Sequence, residues 1–270
     1  RGISVAKLKP NMKELASEPM QIQGLPDGFK EGPYAFKHNN KYYLTFPWVQ
    51  DKTETLAYAM ADSPMGPFTF TGIIMDESPS GCWTNHHSIT EYNGQWYLFY
   101  HHNDYSPNFD KNRSARIDSL FFNTDGTIKK VKPTLRGVGI TDARSKIQID
   151  RYSTISPYGV TIDYLEPSNT FEGWQTLFNR AGTWVTYNKV DFGTTPVKRL
   201  KARVRSEKGG AITLRTPGEK GMTIAELPIK PTGKWTEIST NVSNAPTSMQ
   251  DLIITQTGEN PVAVDWISFE

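Results

Sequence analysis

Two segments of the chain, 54 positions apart, share one pattern of polar and aromatic positions. Each begins with an asparagine-containing pair, Asn39-Asn40 in the first and Asn93-Gly94 in the second, and continues into a run of aromatic and aliphatic residues. Asn and Gly tolerate the positive φ angles of a type I′ turn, and aromatic residues favour strands. The pattern therefore predicts two β-hairpins with two-residue turns.

A repeat of about 50 residues with several strands in each unit is typical of a β-propeller. Eight positions before the two asparagines lie Glu31 and Asn85, so segments 31–34 and 85–88 hold equivalent places in successive repeats. The first strand of each propeller blade lines the central channel, so polar residues at this position converge near the axis. We therefore expect the two segments to contribute to one site.

A connection at 133–139 has few large apolar residues, and strand patterning resumes from about residue 146. Alternating apolar and polar positions, with Gly and Pro turns about every ten residues, are typical of a β-sandwich. Long helical periodicity is absent. We predict an all-β chain, with part of a five-bladed propeller at 1–142 and a β-sandwich (jelly-roll) at 143–270.

Composition narrows the possible partners. The 270 residues include 30 Lys and Arg against 28 Asp and Glu, without a long basic run, which argues against nucleic acid or anionic membrane as a partner. No apolar run reaches the ~20 residues of a membrane helix, and the first residues lack a signal-peptide layout. The single cysteine, Cys82, cannot form an internal disulfide and is predicted to be a packed thiol rather than a nucleophile.

Several residues of the first half could carry chemistry. Glu31 stands beside Gly-Pro at the predicted channel mouth, where partial desolvation would raise its pKa and let it donate a proton near neutral pH. The alternative is a surface glutamate. Trp83 could stack on a sugar or pack in the core or at the rim. His87 and His101 are interpreted as packing or solvated histidines, and Arg116 as a surface partner of a carboxylate.

Three motifs in order resemble glycoside hydrolase family 43. They are Glu31-Gly32-Pro33, then Asn85-His86-His87-Ser88-Ile89, then Arg113-Ser114-Ala115-Arg116-Ile117-Asp118. The resemblance covers the first half of the chain and implies a five-bladed propeller that hydrolyses arabinose- and xylose-containing polysaccharides with inversion. By motif, Glu31 matches the family's general acid, Arg113 its active-site arginine, and His86 the channel histidine that orders a central calcium ion or water.

Inverting hydrolysis also needs a second carboxylate as general base, roughly 6.5 to 9.5 Å from the acid. In the family this aspartate precedes the acid by several blades, whereas here thirty residues precede Glu31, and Asp27 sits in a turn signature at 24–28. The opening segment 2–8 resembles the end of a third blade. We therefore expect the C-terminal part of a propeller. A missing N-terminal segment or a partner chain would supply the general base and cover the open edges of the sheets.

The second half, over about 146–270, resembles a family 6 carbohydrate-binding module. The motifs are Gly182-Thr183-Trp184-Val185-Thr186-Tyr187-Asn188-Lys189-Val190-Asp191-Phe192-Gly193, Thr232-Gly233-Lys234-Trp235 and Val264-Asp265-Trp266-Ile267-Ser268-Phe269. The resemblance implies a sugar held between two aromatic rings, with Trp184 and Trp235 near those positions; burial of both rings in the core is the alternative. Ala263 stands where such modules often have a sugar-binding asparagine.

The same resemblance implies a structural calcium ion in the sandwich. Gln148, Asp150 and Asp265 match its oxygen ligands, a donor set that suits a hard cation. Solvated carboxylates are the alternative.

Together these features predict a carbohydrate substrate and an inverting arabinofuranosidase, xylosidase or related glycosidase, with Glu31 as acid. The alternative is a non-catalytic glycan-binding protein derived from such an enzyme. A polymeric substrate implies an extracellular or periplasmic location.

Overall fold

The computed structural model describes residues 2–105 and 109–270. The chain forms two compact units, Arg1–Pro133 and Thr134–Glu270. They divide nine residues before the boundary that the sequence predicted at 142. In the described ranges the structure contains no apolar helix of membrane-spanning length. The only helical element described is one 3-10 turn at Thr170–Glu172.

In its described residues, the first unit contains nine strands. They are β1 (Ser4–Val5), β2 (Met20–Gln21), β3 (Tyr34–His38), β4 (Lys41–Val49), β5 (Glu54–Ala61), β6 (Thr69–Met75), β7 (His87–Tyr92), β8 (Gln95–His102) and β9 (Ser114–Leu120). Strands β3 to β6 form a four-stranded antiparallel sheet, β7 to β9 form a three-stranded one, and β1 pairs with β2.

Both predicted hairpins are present. Asn39 and Asn40 have φ of 44° and 61°, and the β3–β4 register closes at His38↔Lys41. Asn93 and Gly94 have φ of 50° and 78°, between the paired residues Tyr92 and Gln95. The positive φ angles that asparagine and glycine permit therefore make the two-residue turns, as the sequence predicted.

The two larger sheets of the first unit share a core. Tyr43 and Leu56 from the first sheet and Ile89 and Leu98 from the second belong to one buried cluster. The Tyr34 hydroxyl donates a 2.7 Å hydrogen bond to the backbone carbonyl of Ile89, which ties strand β3 to strand β7. The first strands of successive sheets are therefore neighbours, as in propeller blades.

The second unit contains twelve strands. They are β10 (Thr141–Asp142), β11 (Ile147–Gln148), β12 (Thr154–Ile155), β13 (Val160–Tyr164), β14 (Trp174–Phe178), β15 (Trp184–Asp191), β16 (Arg199–Arg205), β17 (Gly210–Arg215), β18 (Thr223–Ile229), β19 (Thr236–Asn241), β20 (Met249–Gln256) and β21 (Val262–Phe269).

These strands make a β-sandwich of two six-stranded sheets. One sheet has the order β10-β15-β20-β17-β18 with β12 beside β15, and the other β13-β14-β21-β16-β19 with β11 beside β21. Burial alternates along the strands, so that Leu200, Ala202 and Val204 of β16 face the core while the residues between them do not. This alternation is the period-2 pattern that predicted the sandwich.

Strand β21 carries a β-bulge at Asp265. Arg203 of β16 pairs with Trp266, but the next residue, Val204, pairs with Val264, so Asp265 is the extra residue. Val264 and Ile267 both belong to the core although three positions separate them. The bulge therefore shifts the in-and-out phase of the strand by one residue.

Candidate functional site

Segment 31–34 enters β3 through a glycine that brings two functional residues together. Gly32 has φ of +65°, and a Cβ atom added to it would lie 2.8 Å from Cγ of Pro47 and 3.3 Å from Cε1 of His86. Glycine is the residue that supplies both this backbone conformation and this close approach. Residue 32 thus lets Glu31 come near His86.

Glu31 and His86 are in contact across the two sheets. Oε1 of Glu31 lies 3.5 Å from Nε2 of His86, and the two side chains are 64% and 33% exposed. The two repeat positions therefore converge, as the sequence predicted. The predicted desolvation of Glu31 is wrong for this structure, because nearly two thirds of the side chain is open to solvent.

The backbone before β7 is fixed by side chains. The amide of Asn85 donates to Oε2 of Glu54 at 2.7 Å, and the amide of His86 donates to Nε2 of His101 at 3.0 Å. Glu54 starts β5 and His101 lies in β8, so each sheet contributes one acceptor. His86 is thereby held where it meets Glu31.

His101 is buried and neutral. Its Nε2 accepts a hydrogen bond, so the ring carries its hydrogen on Nδ1. Burial, aided by the charges of Arg113 and His86, lowers the pKa of His101 to about 4. The interpretation as a solvated histidine is therefore wrong, and the ring does more than pack.

Two further histidines are structural. Thr45 Oγ1 donates to the carbonyl of Tyr34 at 3.1 Å, so Nε2 of His87, 2.6 Å away, donates to Thr45. His102 Nε2 accepts from the side-chain amide of Asn85 at 3.4 Å. Burial lowers the pKa of His87 and of His102 to about 3 each. The interpretation of His87 as a packing histidine is confirmed.

The two arginines of the third motif differ in environment. Arg113 is exposed just before β9, and its charge helps to lower the pKa of His101. Arg116 forms an ion pair with Asp104, and its side chain is 6% exposed. Arg116 is thus the partner of a carboxylate, as predicted, but it is buried rather than on the surface.

Residues 82 and 83 precede the histidine motif. The buried Cys82 thiol donates to the carbonyl of Thr84 at 3.1 Å, and burial raises its pKa, which confirms a packed thiol. Trp83 is partly buried, and its backbone bonds Asp110 and Glu54. Because Trp83 is only partly exposed, sugar stacking and packing at the rim both remain alternatives for it.

Asp27 lies in the predicted turn. Gly28 has φ of +83°, and the backbone carbonyl of Asp27 accepts the indole N–H of Trp48 at 2.9 Å. The turn at 24–28 therefore anchors a tryptophan of β4.

In the sandwich, Trp184 lines a groove of about 550 Å³ on the outer face of the sheet that contains β15 and β20. Its neighbours Val185 and Tyr187 point into the core, which places Trp184 on the other side. The groove is lined by Trp184, Thr186, Thr213, Arg215, Ile253 and Thr255. A partly exposed ring beside hydroxyl groups suits a sugar, which presents an apolar face and polar edges.

Trp235 lies against the other sheet. Its ring is 5.4 Å from the guanidinium carbon of Arg203 and 5.1 Å from that of Arg205, which alternate with core residues of β16. Arg205 also lines a pocket of about 390 Å³ with Leu177 and Ala263. Trp184 therefore lies in one sheet while the Trp235 ring packs against the other, and the expectation that one sugar sits between them is wrong.

The three predicted calcium ligands lie in or next to the paired strands β11 and β21 and differ in exposure. Gln148 is exposed and pairs with Trp266, whereas Asp150 and Asp265 are 3% and 5% exposed. Arg203 Nη1 donates to Asp265 Oδ2 at 2.7 Å, while burial raises the pKa of that acid. Within the described ranges, no three His, Cys, Asp or Glu side chains form a metal-binding group.

Each half of the chain matches the model of a known protein family. Residues 1–128 match the model of glycosyl hydrolases family 43, and residues 156–270 match that of the carbohydrate binding module (family 6). Both resemblances noted in the sequence are therefore confirmed.

Two curated relatives match different shares of the chain. An arabinoxylan arabinofuranohydrolase of Paenibacillus polymyxa is 28% identical over 84% of this chain and 40% of its own length. A beta-xylosidase of Xylanibacter ruminicola is 37% identical over 47% of this chain and 42% of its own. The chain thus spans about two fifths of the length of these relatives.

A solved structure confirms the fold. The family 43 arabinoxylan arabinofuranohydrolase from Bacillus subtilis, solved in complex with cellotetraose, aligns with 98% of this chain and 58% of its own, with a TM-score of 0.56 and 24% identity. The predicted all-β chain, with part of a propeller followed by a sandwich, is confirmed.

Sequence reasoning missed Glu54 and the specific contact of His101. Glu54 stands in no motif, and its contact with Asn85 joins positions 31 residues apart. For His101 a signal was present, because it follows the second aromatic run directly and lies opposite the start of β7 in a hairpin.

Proposed function

We propose that this chain, in which a segment of glycosyl hydrolases family 43 precedes a family 6 carbohydrate binding module, is part of an inverting glycoside hydrolase. The proposed substrates are arabinose- or xylose-containing plant polysaccharides and oligosaccharides. The observation that carries the proposal is the contact between Glu31 and His86 across two sheets, at 3.5 Å. The names of the relatives, an arabinofuranohydrolase and a xylosidase, support the substrate class.

In the proposed reaction, Glu31 gives its proton to the oxygen of the leaving sugar as the glycosidic C–O bond breaks. Water attacks the anomeric carbon from the opposite face, and a second carboxylate takes its proton. Glu31 is the one residue of this acid–base pair that we assign. Nε2 of His86 lies 3.5 Å from Oε1 of Glu31, so Oε2 is the oxygen proposed to carry the transferred proton.

Arg113 and Trp83 are proposed as substrate contacts. Arg113 directly precedes strand β9, which pairs with the strand of His101, and it is exposed, so its guanidinium is available to a sugar hydroxyl. A partly exposed Trp83 offers a ring to a sugar face.

The sandwich is proposed to bind polysaccharide through the groove around Trp184, and the chain to act outside the cytoplasm, where polymeric substrates are. Calcium binding by Gln148, Asp150 and Asp265 is a further proposal. Two buried carboxylates support it, although the ion pair with Arg203 already balances the charge of Asp265. A calcium ion there would add a structural cross-link between β11 and β21.

The test is Glu31→Gln on two kinds of substrate. A glycoside with a poor leaving group, such as an arabinoxylan oligosaccharide, needs protonation, and we expect its turnover to fall by about 10²- to 10⁴-fold. An aryl glycoside with a good leaving group needs little help and should lose much less. Glu18→Gln, another exposed glutamate of the first unit, is the control.

NMR of the first-formed anomer tests inversion separately. Equal activity of Glu31→Gln and wild type on the oligosaccharide would overturn the acid assignment. A wild-type protein that binds sugar without turnover, with the same affinity in Glu31→Gln, would instead establish the non-catalytic glycan-binding alternative.

A further inference from the structure

We propose that Glu54 and His101 are positioning residues that together hold His86 against Glu31. This inference rests on the proposed function, because it explains how the site of the hydrolase is kept in place. Neither residue would touch the substrate; both act through the backbone of residues 85 and 86.

The backbone amides of Asn85 and His86 come directly before strand β7. Pairing of β7 with β8 begins at His87↔Tyr100, so the N–H groups of Asn85 and His86 lie outside this ladder. Asn85 is 1% exposed, and a buried amide without an acceptor destabilises the fold. Two side chains accept these hydrogen bonds in place of a neighbouring strand. Glu54 accepts the N–H of Asn85 at 2.7 Å, and His101 accepts the N–H of His86 at 3.0 Å.

Glu54 is itself held rigidly. Its backbone N–H donates to the carbonyl of Trp83 at 3.3 Å, so it binds segment 83–85 through backbone and side chain. The turn before it is fixed by Glu77, whose Oε1 accepts the amides of residues 51 to 53 at 2.7 to 3.3 Å. A site supported by a rigid element keeps its geometry better than one on a free loop.

His101 serves as acceptor only when it is neutral. The residue is 8% exposed, and the adjacent His102 contacts the Asn85 side chain from the same strand. Strand β8 therefore reaches residues 85 and 86 with two consecutive histidines, while β5 reaches residue 85 from the other sheet.

Small movements of this segment matter because the Glu31–His86 separation is already 3.5 Å. Displacement of a supporting group by about 1 Å can reduce catalysis by about 100-fold. Losing either acceptor would let the segment rotate, and the His86 ring would move away from the carboxylate.

A double-mutant cycle tests the proposal. Glu54→Ala and His101→Ala are each combined with His86→Ala, and kcat/KM is measured on an arabinoxylan oligosaccharide. We expect each single variant to lose about 10- to 100-fold. In the His86→Ala background, the further loss should be less than about 3-fold, because residues that act as one unit are non-additive.

Conservative changes and a matched control separate positioning from stability. Glu54→Gln keeps an acceptor oxygen and should recover most of the activity, whereas Glu54→Asp keeps the charge but cannot reach the amide and should not. Glu91→Ala is the control, since Glu91 also accepts a backbone amide, that of Gly94 at 2.5 Å, at the far end of β7. It should lose stability without coupling to His86→Ala.

NMR gives a readout that does not depend on turnover. Glu31→Gln alone should change the chemical shift of the His86 ring. When Glu31→Gln is combined with Glu54→Ala or Glu54→Asp, this change should shrink or vanish. An additive kinetic cycle, or an undiminished shift change, overturns the positioning role. A fully active Glu31→Gln overturns the proposed function instead, and the shift comparison then still decides the role of Glu54.

Discussion

The ring of His101 accepts the backbone N–H of His86 at 3.0 Å, and it can do so only without a proton on that nitrogen. Burial lowers the pKa of His101 to about 4, and that of His87 and His102 to about 3 each. Three neutral imidazoles thus lie in or next to the segment that carries His86: His87 follows it directly, His101 accepts its amide, and His102 contacts Asn85.

The first prediction concerns the pH dependence of stability. In the unfolded chain these histidines titrate near 6.5, so they bind protons there before they do in the folded state. The free energy of unfolding of the first unit should be flat above pH 6.5 and fall as the pH drops from about 6.5, until about pH 4 for His101 and about pH 3 for His87 and His102. The slope should be up to about 1.4 kcal/mol per pH unit for each histidine.

Amide hydrogen exchange at pH 7, 6 and 5 measures this for each unit. All five histidines of the chain precede residue 103, so the sandwich is an internal control without imidazole titration. Equal stability of the first unit at pH 7 and pH 5 would contradict the neutral, buried state of the three rings.

The second prediction concerns Gly32. Gly32→Ala should destabilise the first unit by about 2 to 4 kcal/mol, since the alanine pays for a positive φ and its Cβ also meets Pro47. Gly81→Ala isolates the backbone part, because Gly81 has φ of +71° and nothing within 4 Å of an added Cβ. It should cost about 1 to 2 kcal/mol.

Urea denaturation gives both values, and the oligosaccharide assay follows activity. Gly32→Ala should also lower kcat/KM because it separates Glu31 from His86. Equal effects of the two alanine variants would show that the close approach at residue 32 does not matter.

The third prediction separates the two tryptophans of the sandwich. Trp184→Ala should weaken polysaccharide binding by about 10- to 100-fold, because it removes the ring that lines the groove. Since Trp235 packs against the other sheet, any effect of Trp235→Ala on affinity should add to that of Trp184→Ala in the double variant. Isothermal titration with xylo-oligosaccharides measures each affinity, and strong coupling of the two would contradict their placement.

The fourth prediction concerns calcium. If the ion joins β11 to β21, Ca²⁺ should raise the Tm of the sandwich, and Asp150→Asn should abolish that rise. Asp163→Asn, at an exposed carboxylate of β13, is the control and should keep it. A Tm indifferent to both Ca²⁺ and chelator would mean that the Arg203–Asp265 pair alone balances the buried acid.

Local chemistry was readable from the sequence. The φ preferences of Asn39-Asn40 and Asn93-Gly94 fixed two hairpins, and their spacing placed segments 31–34 and 85–88 at equivalent positions. The fold brings Glu31 and His86 of these two segments together. Choosing His86 over His87 was also possible, because the motif resemblance distinguished them.

Contacts that depend on how distant strands pack and align could not be predicted from the sequence. Glu54 meets Asn85 only because two sheets pack side by side, and no local pattern records that packing. The exposure of Glu31 and the placement of Trp184 and Trp235 at different sheets likewise depend on tertiary packing and strand order, which alternation alone does not determine.

The bulge at Asp265 has a consequence for how β21 can be used. In a regular strand, neighbouring side chains point to opposite sides, so an acid and an aromatic ring that are adjacent in sequence cannot share a surface. Here Asp265 reaches Arg203, and Trp266 lies 4.4 Å from the ammonium of Lys146. Deleting Asp265 would leave regular alternation, with Val264 and Ile267 still in the core and Trp266 on the other side, but Arg203 would lose the carboxylate to which it donates.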